Sequence, residues 1–395
     1  MPKHNPSDLF TPAPLPVATL DDAQRLACLR LIRSENVGPV TFRELINHYG
    51  GAEAALDALP ELSRRAGRTL RICSRERALG ELERAARNGA FPVFTIEPGY
   101  PKRLAHLDAP PPALYVKGKV DLLNRPAIAI VGSRQASGGG LTLARRFAGT
   151  LGAAGLVIIS GLARGIDSAA HEASLATGTI AVLAGGIDVV YPSENTALQQ
   201  QIAEAGVLVT EMPPGFAPRA QDFPRRNRII SGISNGVLVI EAARRSGTLL
   251  TARMALEQGR EVFAVPGHPL DPRAEGTNHL LKSGATIATT PQDILDVIQP
   301  IAGLAQEVRE NETATYETAP QDPLPPPLIA NEDRARTLEA LGPHPIPTDD
   351  LARAVGLGPR EMRVILMELD LAGLIERHGQ TLVSRKADSA PLAGT

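Results

Sequence analysis

The sequence is poor in cysteine, lacks tryptophan and contains no long apolar run. Its two cysteines, Cys28 and Cys73, lie far apart and have no Cys-X-X-Cys or Cys/His spacing around them. This spacing argues against a disulfide framework and against a zinc site. The proline-rich first residues lack the apolar stretch of a signal peptide, and no later segment reaches the apolar length of a membrane span. We therefore expect a cytoplasmic protein with no membrane span.

An excess of charge of one sign is also missing. The chain has 41 lysines and arginines against 43 aspartates and glutamates, which gives a net charge of -2. Any nucleic-acid site must therefore be a local patch and not a field that covers the whole protein. The 395 residues, 43% of them hydrophobic and 21% charged, suffice for two or three globular domains.

Two nucleotide-binding signatures are absent as well. The first strand-end loop is not Gly-X-Gly-X-X-Gly, and the chain contains no P-loop sequence. From Ala127 onward, however, short runs of Val, Ile and Leu alternate with helical segments. Such runs are typical of parallel strands that are buried on both faces. The pattern predicts an α/β fold with a Rossmann-like, doubly wound, mostly parallel sheet, placed in an extended domain over residues 89–298.

Smaller domains flank this sheet in the prediction. Residues 21–88 show helical periodicity on both sides of a Val37-Gly38-Pro39 turn, which resembles a SAM or helix-hairpin-helix domain; plain helix packing explains the same pattern. Residues 331–386 have the helix, helix, longer helix and hairpin order of a winged helix. The remaining segments are expected to be an acidic, proline-rich linker at 299–330 and disordered ends at 1–20 and 387–395.

Ligands of a doubly wound sheet bind at the carboxyl ends of its strands, so the loops after the strands are the candidate site. In the first loop Gly132 allows a ligand to approach the backbone, and Ser133 and Arg134 can donate to a phosphate. The second loop supplies Arg164. Asp167 and His171, four residues apart, are interpreted as a helix N-cap and a packed histidine, not as an acid–base pair.

A cluster of cations and one aromatic ring stands out further along. The stretch Asp222 to Ser234 holds Arg225, Arg226 and Arg228 beside Phe223 and Asn227, in a chain with only 3% aromatic residues. Guanidinium groups hold phosphates bidentately and a phenyl face stacks on a base. Because arginines recur at several strand ends, the pattern favours a strand of nucleic acid over a mononucleotide. The alternative is a solvated loop whose arginines pair with surface carboxylates.

Six motifs, in this order, resemble the DNA-processing protein A family, also called DprA or Smf: GSR (132–134), SGLARGID (160–167), AVLAGGIDVVYP (181–192), FPRRNRIISGIS (223–234), EAARRSGTLLTA (241–252) and AVPGHP (264–269). The resemblance implies a non-enzymatic homodimer that binds single-stranded DNA on its Rossmann-like domain. It also implies partnership with RecA, which the family loads onto DNA during natural transformation, and with single-strand-binding protein. We expect no cofactor, no metal ion and no catalytic residue. The residues that the resemblance assigns to DNA binding are Gly132, Ser133, Arg134, Arg164, Phe223, Arg225, Arg226, Asn227, Arg228 and Lys282.

Two other functions fit parts of the sequence. A nucleoside-monophosphate phosphoribohydrolase of the LOG type has a similar fold, but its PGGxGTxxE signature is absent, and Thr251 occupies the glutamate position. A duplex-DNA-binding regulator would act through the winged helix. Its third helix mixes Arg360 and Arg363 with Glu361, Glu368 and Asp370, so contact with DNA, contact with a protein and a purely structural role all remain open.

Overall fold

The computed structural model describes residues 20–65, 70–312 and 329–386, which form a helical N-terminal domain, a central α/β domain and a C-terminal winged helix. The predicted disordered ends, apart from Leu20, and residues 313–328 of the predicted linker lie outside the described residues. Within these ranges no helix has both the length and the apolar character that crossing a membrane requires.

Four helices build the N-terminal domain: α1 (Asp22–Ile32), α2 (Pro39–Tyr49), α3 (Ala52–Arg65) and α4 (Arg75–Arg87). Asp21 caps α1, because its carboxylate accepts the backbone N–H of Gln24 at 2.8 Å while the Gln24 side chain accepts the backbone N–H of Asp21 at 3.0 Å. Proline at the first position of α2 follows the turn at Gly38, and Gly50 ends this helix with φ of 76°. The predicted helical domain is confirmed.

The central domain contains nine strands: β1 (Phe91–Phe94), β2 (Ala113–Gly118), β3 (Ala127–Gly132), β4 (Val157–Ser160), β5 (Thr179–Val182), β6 (Val207–Thr210), β7 (Gly236–Ile240), β8 (Glu261–Ala264) and β9 (Thr286–Ile287). They form one sheet in the order β1-β2-β6-β5-β4-β3-β7-β8-β9. In this spatial order, all neighbouring strands from β6 to β9 pair in parallel. At the other end, β2 pairs antiparallel with β6, and β1 pairs antiparallel with β2. The predicted mostly parallel, Rossmann-like sheet is confirmed.

Helices cover both faces of this sheet: α5 (Lys102–Ala105), α6 (Gly138–Ala153), α7 (Ile166–Ser174), α8 (Thr196–Ala205), α9 (Asp222–Ile233), α10 (Gly247–Glu257), α11 (Glu275–Lys282) and α12 (Pro291–Glu312). Alternate side chains of β3 point to opposite faces: Ile128 and Ile130 join one core with α6, α7 and α12, whereas Ala129 and Val131 join another with α9, α10 and α11. The α12 helix continues into the segment that the composition predicted to be a linker from residue 299, so the start of that linker is corrected.

The winged helix consists of α13 (Asn331–Ala340), β10 (Ile346–Pro347), α14 (Thr348–Val355), α15 (Pro359–Leu371), β11 (Ile375–His378) and β12 (Leu382–Arg385). The predicted order of three helices and a hairpin is confirmed, and the structure adds β10 as a third antiparallel strand beside β12.

The winged helix docks on the N-terminal domain through its longest helix. Val364, Met367 and Leu371 of α15 join the same apolar core as Phe42 and Leu45 of α2. Polar side chains close the contact. Asn36 Nδ2 donates to the Leu371 carbonyl oxygen at 2.8 Å, the Thr41 hydroxyl donates to the Asp370 carboxylate, and Arg377 pairs with Glu44 at 2.9 Å. The two ends of the described chain therefore form one packed unit.

Candidate functional site: a cationic and aromatic rim at the strand ends

The loops after β3 and β4 are pressed together at the carboxyl edge of the sheet. A Cβ on Gly132 would lie 1.9 Å from the Ile240 carbonyl oxygen, and one on Gly165 would lie 2.3 Å from the Ser133 carbonyl oxygen. Gly165 also has φ of 77°, which favours glycine. The Ser133 hydroxyl accepts the backbone N–H of Gln135 at 3.1 Å. The approach of neighbouring strands therefore requires glycine at position 132, and the role of Gly132 beside a ligand stays a prediction.

This edge, here called the rim, carries Arg134 beside two aromatic rings. The guanidinium carbon of Arg134 lies 5.4 Å from the centroid of the Phe223 ring. The Tyr191 ring lies 5.3 Å from the same ring, tilted by 54°, and Tyr191 is 52% exposed. The structure therefore brings the predicted Arg134 and Phe223 together and adds Tyr191. Sequence reasoning missed Tyr191, although its place in the loop after β5, in a chain with so few aromatic residues, was a usable signal.

The arginine-rich stretch is a helix and not a loop, which changes the role of Arg226. In α9, Arg226 precedes Ile229, Ile230 and Ile233 at the spacing of one buried helix face, and all four side chains are buried. The Arg226 guanidinium donates to the carbonyl oxygens of Gly161 and Val182, at the ends of β4 and β5. Arg226, predicted as a DNA contact, is buried and joins α9 to the carboxyl ends of β4 and β5.

A buried carboxylate balances this arginine. Asp167 accepts the backbone N–H groups of Gly161 at 3.1 Å and Ala163 at 3.3 Å. Burial raises the pKa of Asp167, and the nearby Arg226 charge and these two donors oppose that shift. Burial lowers the pKa of Arg226 to about 10, so the guanidinium keeps its charge at neutral pH. Asp167 lies inside the first turn of α7, whose N-cap is Gly165, so the prediction that Asp167 is the N-cap is wrong.

His171 is buried and uncharged at neutral pH. Its Nδ1 lies 2.7 Å from the Thr179 hydroxyl oxygen, whereas its Nε2 has no hydrogen-bond partner among the residues that the structure describes. Burial, followed by the Arg226 charge, lowers the pKa of His171 to about 3. A neutral, enclosed imidazole is consistent with the packed histidine that the sequence predicts.

Glu211 forms ion pairs with the other two arginines of α9. Arg228 pairs with Glu211 Oε2 at 2.6 Å and donates to the Ala109 carbonyl oxygen at 3.0 Å. Arg225 Nε lies 2.8 Å from Glu211 Oε1 without hydrogen-bond geometry. Arg225 is 56% exposed and Arg228 only 21%, so Arg225 presents more of its charge to solvent. The amide of Asn227 donates to the Gly247 carbonyl oxygen at 3.5 Å.

The start of α6 already holds a carboxylate. Glu241 accepts the backbone N–H of Ser137 at 2.9 Å and also accepts the Ser137 hydroxyl, and a Cβ on Gly140 would lie 2.7 Å from its carboxyl carbon. Gly140 therefore makes room for Glu241. Because a protein carboxylate occupies this helix N-terminus, the first loop does not cradle a phosphate there.

Arg164 and Lys282 complete the predicted residues. Arg164 lies at the rim, 61% exposed, and forms an ion pair with Glu194. Lys282 is the last residue of α11, which runs back along the sheet from the carboxyl end of β8 before β9 begins. The structure therefore does not bring Lys282 to the rim, and the assignment of Lys282 to this site is corrected.

A second, larger cleft lies between the N-terminal domain and the winged helix, with a volume of about 1380 Å³. Five arginines line it, but Glu44, Glu61 and Asp349 do so as well. Arg65 pairs with Glu61 and Arg377 with Glu44, so much of its charge is neutralised within the protein. We place the candidate site at the strand ends, where the Arg134 guanidinium lies against the Phe223 ring.

Fold and rim together define a class: a Rossmann-like α/β protein without a dinucleotide fingerprint, whose strand ends present arginine and aromatic rings. The family model of DNA recombination-mediator protein A matches residues 92–299. The models of a DprA-like N-terminal HHH domain and of a DprA winged helix domain match residues 22–84 and 319–380. The chain belongs to the DNA recombination-mediator protein A family, also called DprA or Smf.

Individual relatives agree with this assignment. The chain is 44% identical to Protein Smf of Escherichia coli over 281 residues, which cover 70% of this chain and 72% of that protein. It is 45% identical to DNA processing protein DprA of Streptococcus pneumoniae over 208 residues, or 52% of this chain and 73% of the relative. An X-ray structure of DNA processing protein A from Streptococcus pneumoniae superposes with a TM-score of 0.58 and 34% identity, over 70% of this chain and 97% of that one.

Proposed function

We propose that this protein binds single-stranded DNA along the rim formed by Arg134, Arg164, Tyr191, Phe223 and Arg225. The observation that carries the proposal is the Arg134–Phe223–Tyr191 cluster, in which a guanidinium and an accessible aromatic ring lie side by side. Cations that hold the phosphates and a ring that stacks on a base are the two elements of single-strand binding without sequence preference.

The same cluster favours a single strand over a duplex. In a duplex the base faces are stacked on one another and are not available to a protein ring, whereas an unpaired strand presents them. One face of the longest helix of the winged helix is covered, because Val364, Met367 and Leu371 pack against the N-terminal domain. A helix packed in this way cannot enter a major groove with that face.

The further partners follow from membership of the family. We propose that the protein acts in the cytoplasm as a homodimer, opens strands covered by single-strand-binding protein and loads RecA onto them during recombination and natural transformation. We also propose that it does so without catalysis. The relatives are named DNA processing proteins, and Thr251, at the position of the glutamate in the LOG-type hydrolases, is buried.

Fluorescence anisotropy tests the proposal. A labelled oligo-dT and a duplex of equal length are titrated with the full-length protein at two salt concentrations and without nucleotide. We expect tighter binding to the single strand, weakening as salt rises. Equal affinity for both DNAs, or no binding, would reject the single-strand proposal; an oligomer-state measurement and a RecA-loading assay on coated DNA then test the partners.

A further inference from the structure

The cleft between the N-terminal domain and the winged helix is larger than most small-molecule sites. Its volume of about 1380 Å³ exceeds the roughly 300–1,000 Å³ of typical ligand pockets. Residues of α2 and α3 line it on one side, and residues of α14, α15 and the β11–β12 hairpin line it on the other. A cleft of this size between two domains has room for a segment of another polypeptide chain.

The lining of this cleft has an excess of positive charge. Its charged residues are the arginines Arg43, Arg65, Arg360, Arg363 and Arg377 and the carboxylates Glu44, Glu61 and Asp349. Arg65 pairs with Glu61 at 3.0 Å, and Arg377 pairs with Glu44 at 2.9 Å. Arg363 is exposed and, within the described ranges, pairs with no carboxylate. The ion pairs inside the protein therefore leave positive charge in the cleft.

Arg360 and Arg363 stand at a place that does not favour cations. They are three residues apart at the start of α15, on the same side of the helix, and both are exposed. The partial positive charge of a helix N-terminus disfavours a basic side chain in the first turn, where Arg360 lies. Burial lowers the pKa of His48 on α2, and the nearby Arg360 and Arg363 lower this pKa further. An anion bound from outside would relieve this repulsion.

Apolar side chains lie at the base of the same cleft. Val40 of α2, Leu62 of α3 and Met362 of α15 line it and are buried. The Tyr49 ring also lines it, half-buried, and meets the His48 ring edge-on with the centroids 4.7 Å apart. An occupant with both acidic and apolar side chains matches this combination of arginines above and apolar groups below.

Nucleic acid matches the lining less well than an acidic peptide does. Duplex DNA carries one negative charge for about every 1.7 Å of its axis, so its phosphates cannot avoid a carboxylate that lies among the arginines. Here Glu44, Glu61 and Asp349 share the lining with the arginines. A peptide spaces its carboxylates according to its sequence, so they can face the arginines alone. The mixed lining therefore favours a peptide.

We propose that this cleft is a docking site for an acidic segment of a partner protein. Arg360 and Arg363 bind carboxylates of the segment, since a guanidinium group holds a carboxylate through two parallel hydrogen bonds. Val40, Leu62 and Met362 contact an apolar side chain of the same segment. The inference is independent of the strand-end site, because it uses neither the rim residues nor DNA.

Fluorescence anisotropy with three labelled peptides tests the proposal on the full-length protein. The first peptide is Asp-Asp-Leu-Asp-Asp-Phe-Asp-Asp; the second has Asn for every Asp, and the third has Ser for Leu and Phe. We expect the first to bind most tightly and more weakly as salt rises. The double variant Arg360→Ala, Arg363→Ala should weaken its binding roughly 5- to 30-fold. Arg336→Ala, exposed on α13 and paired with Asp333, is the matched control and should bind like the wild type.

Oligo-dT serves as the second ligand in this experiment. The double variant should bind oligo-dT normally, which shows that it is folded, and saturating oligo-dT should not displace the peptide from the wild type. The inference is overturned if the acidic peptide does not bind, if the Asn or Ser peptide binds equally well, or if the double variant keeps its affinity. Displacement of the peptide by duplex DNA, with loss of duplex binding in the double variant, would assign the cleft to nucleic acid instead. Failure of the wild type to bind oligo-dT would reject only the proposed function.

Discussion

Arg134 is the residue in which charge and aromatic contact meet. It makes a cation–π contact with Phe223 and, among the described residues, no ion pair, so its charge is available to a phosphate. We expect Arg134→Ala to weaken single-strand binding and to flatten the plot of log affinity against log salt by about 0.7 for each phosphate that the arginine neutralises. Anisotropy titrations over a salt series measure both. Arg145→Ala is the control, since Arg145 is exposed on α6 and pairs with Glu172; an equal effect of both variants would remove Arg134 from the site.

Arg226 shows that residue type alone does not identify a DNA contact. An arginine within FPRRNR invites a phosphate contact, yet the isoleucines that follow it at helical spacing place it on the buried face of α9. That spacing was readable from the sequence. What the sequence could not reveal is that the carbonyl oxygens of Gly161 and Val182 lie beneath it, because these atoms come from distant strands.

Replacing Arg226 should therefore affect stability first. Arg226→Ala leaves Asp167 buried without its cation and two carbonyl oxygens without a donor, so we expect a loss of about 3–5 kcal/mol in the free energy of unfolding. Urea unfolding measures it. Arg225→Ala is the matched control and should cost at most about 1 kcal/mol, because Arg225 is 56% exposed. An Arg226→Ala protein as stable as the wild type but deficient in DNA binding would contradict this assignment.

At the scale of elements, the parallel strands were the most predictable part. Continuous Val, Ile and Leu runs such as those of β3 and β4 arise because both sheet faces are covered, and this requirement acts locally on each strand. The docking of α15 on α2 was not predictable, since Val364, Met367 and Leu371 also suit the core of an isolated winged helix. Only the three-dimensional arrangement shows which core they join.

The contact between α15 and α2 should respond to pH. Burial raises the pKa of Asp370 above its ordinary value of 3.8, and the Thr41 hydroxyl, Arg377 and Lys386 oppose the shift. Burial likewise raises the pKa of the neighbouring Glu44. A carboxyl group with a raised pKa binds more protons in the folded state, so its contribution to stability is present at low pH and is lost as pH rises through the folded pKa.

We expect Asp370→Asn to reduce this dependence. The amide keeps an acceptor for Thr41 and removes the titrating group, so the fall in the free energy of unfolding as pH rises above about 4 should become shallower. Urea unfolding of the wild type and the variant across this range measures the change. Asp349→Asn is the control, on the exposed start of α14. Equal slopes for the wild type and Asp370→Asn would show that Asp370 does not titrate in this window.

At the scale of the whole molecule, the strand-end site and the cleft beside the winged helix should contribute differently to DNA binding. Arg360 and Arg363 are exposed on α15 and line the cleft beside the N-terminal domain, away from the strand ends. We expect the double variant Arg360→Ala, Arg363→Ala to bind oligo-dT like the wild type, whereas Arg134→Ala binds it more weakly. Parallel anisotropy titrations on single-stranded and duplex DNA decide this. A selective loss of duplex binding in the double variant would give the winged helix a DNA-binding role of its own.

The contact between Asn36 and Leu371 joins residues separated by 335 positions, and this separation has a consequence for synthesis. At about 5–20 residues per second, the ribosome needs on the order of 20 to 70 s to make the intervening chain. During that time Phe42, Leu45 and their neighbours lack the cover that α15 later supplies. The nascent N-terminal domain thus exposes an apolar surface until α15 has been made, and a transcript truncated before α15 yields a product that never covers it.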